Sequence, residues 1–160
     1  MATISIADND ARIQYTQAVT GNSTQLTIDY PFFALDDIKV IRTTSAGVDT
    51  NLTRGTGTNT FAVVGTAVDD GYSGGYITLN DSYDNTYTYT IYRDVPIART
   101  TDFATSGPFN IASLNTELDK IYAVMQQVEN ANDRALTMPD SDGSVSITLP
   151  TLSTRKGKYL

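Results

Sequence analysis

The apolar residues of this chain change their spacing sharply at Gly107-Pro108-Phe109. Upstream they recur at every second position; from Ile111 to Ala135 they recur at alternating steps of three and four, and Val145, Ile147 and Leu149 return to alternation. A period of two sends successive side chains to opposite faces of a strand, and a period near 3.5 keeps one stripe along a helix. The change divides the 160 residues into an arm (1–10), a β domain (11–106), a helix (107–137), and a linker that begins a further segment (138–160).

Within the β domain, Ile13 and Tyr15 alternate with polar neighbours, as do Leu26, Ile28 and Tyr30. Gly21-Asn22-Ser23 between them predicts a hairpin. Pro31 stops the second arm because it lacks an N–H for the ladder, and Phe32 and Phe33 are expected to plug the core. Ile38 with Val40, Phe61 with Val63, and Ile77 with Leu79 mark further strands. Residues 48–53 are expected to pair with 37–44. Asp69-Asp70-Gly71 and Ser73-Gly74-Gly75 read as breakers. Tyr87, Tyr89 and Ile91 share one face of the clearest strand, 86–93. Short strands with frequent turns, and no helical pattern between them, predict a mainly β chain folded as an antiparallel β sandwich rather than a parallel α/β sheet. Composition agrees: threonine is abundant, there are 10 Tyr, and of the 18 acidic residues only Glu117 and Glu129, both in the helical stretch, are Glu.

Asn110 is a suitable N-cap for the helix. Ile111, Leu114, Leu118, Ile121, Met125 and Val128 occupy positions a and d of successive heptads, and Asn132 and Ala135 continue the frame. Asn115, Thr116, Asp119, Lys120, Gln126 and Gln127 fill the other side; Tyr122 and Val124 flank the seam. Pro139 closes the segment. The pattern predicts a long coiled-coil helix of about 27 residues, some 40 Å in length, that associates with copies of itself, with Asn132 fixing the register. The competing reading of the same stripe is an amphipathic helix packed on its own sheet.

The chain has no Cys and no His, so thiolate chemistry, Ser-His-Asp catalysis and the commonest metal ligand are all excluded. A net charge of −7 argues against nucleic-acid binding. No apolar run is long enough to span a membrane, and residues 1–10 lack the pattern of a signal peptide. Carboxylates pair at Asp36/Asp37, Asp69/Asp70, Asp81/Asp84 and Asp140/Asp142, but all lie in turns, where Asp bonds its own backbone. Tyr-rich strands suit a carbohydrate-binding, receptor-recognition module, the alternative function, although the alternation of Tyr87 and Tyr89 fits core packing better. No catalytic residue, cofactor or metal is expected.

Local motifs in order carry a resemblance over most of 11–137. They are Tyr30-Pro31-Phe32 with Leu35, Asp37-Ile38-Lys39-Val40, Gly75-Tyr76-Ile77-Thr78-Leu79, Tyr89-Thr90-Ile91-Tyr92-Arg93 and Thr101-Asp102-Phe103. Gly107-Pro108-Phe109 then runs into Leu114-Asn115, Leu118-Asp119 and Gln126. In these the chain resembles the amino-terminal virion-anchoring domain of tail fibres and tailspikes from short-tailed (podovirus) phages. The resemblance implies a homotrimer in the phage tail, with the β domain docked at the junction of the adaptor and nozzle proteins. The helix would be a trimer interface leading to a distal part that alone meets the host receptor. Residues 154–160 are similar to a segment that opens the next fibre module, which suggests a longer native chain. A chain complete at 160 residues would instead be a short adaptor on which a separate tailspike docks.

Overall fold

A computed structural model provides the fold and describes residues 4, 6, 10–16, 25–80, 86–98 and 110–135. Seven strands precede one helix: β1 (Arg12–Thr16), β2 (Gln25–Ile28), β3 (Ile38–Thr43), β4 (Asp49–Arg54), β5 (Thr60–Val68), β6 (Gly71–Leu79), β7 (Thr88–Arg93) and α1 (Ile111–Asp133). A 3₁₀ turn, Leu35–Asp37, leads into β3.

The strands form one sheet in the order β1-β7-β3-β4-β5-β6-β2. This corrects the expected sandwich: a single sheet curls around the core and nearly closes. β4 and β5 join its halves through a short parallel pairing, Thr53 to Thr60 and Arg54 to Phe61. The loop between them holds Gly57 and Asn59 at φ of 123° and 57°, and the Thr53 N–H donates to the Asn59 carbonyl at 3.1 Å. The outer strands β1 and β2 approach each other where the Tyr15 hydroxyl donates to the Thr27 carbonyl at 2.8 Å. Both architectures bury one face of each strand, so alternation alone does not separate them.

The expected 13–30 hairpin does not form. β1 pairs antiparallel with β7 and β2 with β6, so the two strands stand at opposite edges of the sheet. The Ser73-Gly74-Gly75 breaker is also corrected, because these residues lie inside β6. Gly75 faces Gly65 across the β5–β6 ladder, and a Cβ there would stand 2.1 Å from the Val64 carbonyl oxygen. Glycine here permits close strand approach. Gly75→Ala is therefore expected to cost about 1–3 kcal/mol, read as a lower denaturant midpoint with an unchanged slope.

Ile28, Ile38, Val40, Phe61, Ile77, Tyr89 and Ile91 fill the interior, joined by Tyr30 and Phe32 from the bend after β2. Phe33, expected in the core, is only half-buried. The arm is not simply polar: Ile4 is buried, and its N–H donates to Asp70 Oδ1 at 2.7 Å.

α1 begins as expected, with Asn110 accepting from the Ser113 N–H. It spans 23 residues, about 35 Å, and lies on the sheet. The long coiled-coil helix expected over 107–137 is thereby corrected. Asp133 ends the helix, and the side opposite the heptad seam is occupied by the β domain.

Candidate functional site

β7 ends on Arg93, whose side chain points inward and is 3% exposed. Its Nη1 donates to the Pro31 carbonyl at 2.8 Å, and its Nη2 donates to Gln126 Oε1 on α1 at 2.9 Å. Burial lowers the guanidinium pKa, with Tyr30 and Asp37 opposing that shift; the group stays charged. Asp37, also buried, accepts the Phe33 and Ala34 N–H groups at 3.1 and 2.8 Å. Burial pushes its carboxyl upward against those two bonds and the charges of Lys39 and Arg93. The Tyr30 hydroxyl is driven far up by burial, with Arg93 opposing.

The next contact is a clamp. The Val95 N–H donates to Gln127 Oε1 at 2.8 Å, and Gln127 Nε2 donates back to the Val95 carbonyl at 3.3 Å. At the other end of the helix, the Thr116 hydroxyl, shared with the Ala112 carbonyl at 3.1 Å, also lies 3.4 Å from Asp70 Oδ2. Between these anchors Ala123 is 0% exposed, its small side chain allowing helix and sheet to close.

The helix thus docks through its polar side, the reverse of the usual amphipathic arrangement. Ile111, Leu118, Ile121, Met125 and Val128 face solvent, Ile111 with 65% exposure. Leu114 is half-buried, and Asn132 and Ala135 are exposed at the helix end. Helical phase brings the seam residues Ile111–Asn132 together on one outward face; Ala135 lies just past the helix. Tyr122, which could have packed on the β domain, is 61% exposed instead. Residues 96–98 run along one flank as a strap, closed by a bond from the Ala98 N–H to the Pro96 carbonyl at 2.8 Å. Strap and helix enclose an apolar groove of about 460 Å³, lined by Ile97, Leu118, Ile121, Val124 and Met125 among others.

The other sequence candidates have local roles or lie elsewhere. Asp36 pairs with Arg54 at 2.6 Å on the surface, and Asp37 caps the 3₁₀ turn. Asp70 ties the arm and helix to the β5–β6 turn. Asp81/Asp84 and Asp140/Asp142 lie outside the described residues. Among the described residues no acidic cluster is suited to a metal, and no helix is long and apolar enough to cross a membrane. Tyr89 is buried in the core and Tyr87 packs against it, so they form no solvent-facing platform.

The sequence singles out Arg93 and Gln126 as motif residues and Gln127 as polar, but assigns none of them, nor Val95, a docking role. Ala123 is the small residue at the close approach, but Ala112 stands on the same side of the helix and is exposed, so residue size alone gave no signal. Asp119 lies on the same side, its carboxyl raised by burial and by the neighbouring charge of Asp70. A raised carboxyl pKa means the folded chain binds a proton that the unfolded chain still releases. Stability therefore grows as pH falls through the folded value toward the unfolded one near 3.9. Asp119→Asn is expected to raise Tm at pH 7, with the gain shrinking toward pH 4; melts of both proteins at the two pH values check this.

Neither a protein-family model nor a curated protein matches this chain.

Proposed function

We propose that this chain is a structural virion protein that fastens a host-recognition fibre or tailspike to the tail of a short-tailed phage, acting as a homotrimer. The motif resemblance over 11–137 supports the tail assignment, and the observation that carries the self-association is the outward stripe of α1. A helix that spends its polar side on its own domain and turns Ile111, Leu118, Ile121, Met125 and Val128 to solvent needs a partner, since large apolar patches mark interaction sites. The stripe residues themselves are uncharged, and exposed Glu129, about five turns from Ile111, borders them.

In this reading Ile111, Leu114, Leu118, Ile121, Met125, Val128, Asn132 and Ala135 form the trimer interface. The three β domains face the adaptor and nozzle proteins, and the host receptor is met by a distal part. Three linked weak contacts bind far more tightly than one, because the second and third engage at high effective concentration. No catalytic step or cofactor enters. Antibodies raised against the chain should decorate the tail of intact purified particles. Label confined to the soluble fraction of the lysate, with clean particles, would remove the virion assignment.

A further inference from the structure

We infer that the helices associate in parallel and head to tail, with Tyr122 of each copy entering the groove between the 96–98 strap and α1 of the next. The inference rests on the self-association reading and names the contacts that would close it. The groove takes in the stripe residues Leu114, Leu118, Ile121 and Met125 and extends onto the flank of α1 that carries Glu117, Lys120 and Val124. Tyr122 lies beyond the other edge of the stripe, about 160° from Val124 at 3.6 residues per turn. Each copy therefore carries a pocket on one side of its stripe and an aromatic projection on the other. Rotation about an axis parallel to the helices brings one against the other, and such a contact closes into a ring. An antiparallel pair would instead face groove to groove and Tyr122 to Tyr122.

Three further features fit this occupant. Tyr122 and the strap's Ile97 are 61% and 83% exposed, so neither is engaged by its own domain. The groove is apolar, with Glu117 and Lys120, themselves paired at 3.2 Å, at its edge; a tyrosine ring with a polar tip matches that distribution. The strap is already ordered, by the Gln127 clamp on Val95 and by the fixed φ of Pro96, so docking costs little conformational freedom. Together the stripe, Tyr122 and Ile97 expose seven large apolar side chains, each by 44% or more, the kind of patch that marks an interaction surface.

The absence of cysteine from the chain makes thiol cross-linking clean. The full chain carrying Ile97→Cys and Tyr122→Cys, treated with a short bismaleimide, should give covalent dimers and trimers and nothing larger on a denaturing gel. Either single variant should give far less. Tyr122→Ala should weaken association on the order of tenfold, as truncating an anchoring aromatic does, and Tyr122→Phe should restore most of it. A double variant that sizes as a trimer yet yields no covalent trimer would overturn the inference and leave self-association standing. Efficient cross-linking of Tyr122→Cys alone would overturn it in favour of antiparallel helices. A wild-type chain that sizes as a monomer would remove both readings.

Discussion

Leu118→Asp leaves the chain monomeric with its β domain folded. Leu118 sits mid-stripe, 44% exposed, and is not among the buried core residues. In the monomer an aspartate there stays hydrated, and a substitution of this kind changes stability by roughly 0.5 kcal/mol or less. In the proposed trimer the same change would bring carboxylates together in an apolar interface. Each unpaired buried charge then costs several kcal/mol, enough to abolish association at micromolar concentrations. Sedimentation should show the loss of trimer while the β-sheet circular dichroism and Tm of the β domain persist. Collapse of the β signal would mean that the stripe belongs to the chain's own core.

The opposite pattern is expected for Arg93→Ala. Arg93 joins three parts of the molecule: the strand it ends, the bend at Pro31, and α1 through Gln126. Removing it deprives Gln126 and the Pro31 carbonyl of their donor and takes a compensating positive charge from the neighbourhood of the buried Asp37 carboxyl. Breaking a buried charged cluster in this way costs about 3–5 kcal/mol, a large share of a total near 5–15. For a domain of this size the loss should appear as a drop in Tm on the order of 10 °C. Helix and sheet separate as well, so protease cleavage within α1 should accelerate. Leu118→Asp thus removes assembly and spares the fold, whereas Arg93→Ala attacks the fold and its hold on the helix together.

The sequence made β3 and β7 legible because their apolar residues alternate: Ile38 and Val40, and Tyr89 and Ile91, all point into the core, whereas β4 buries Leu52 alone. Partner choice was less legible. Gly21-Asn22-Ser23 signals a turn but carries no information about which strand lies beside β1, and the actual partners, β7 for β1 and β6 for β2, are distant in sequence. β6 was read short because its glycines look like breakers, when they serve close strand approach. The helix start and its stripe were plain from periodicity. The side that meets the β domain was not, since that rule takes the chain's own core as the destination of the apolar stripe. Here Arg93, Gln126 and Gln127 made the polar side the docking side, and such a choice is visible only once β7 and α1 lie together in space.

Light scattering on the intact chain across the micromolar range tests the central claim most directly. The account predicts a mass three times that of the 17.3 kDa chain, independent of concentration over that range. A mass of one chain at tens of micromolar would contradict it, and the outward stripe of α1 would then require a partner of another kind.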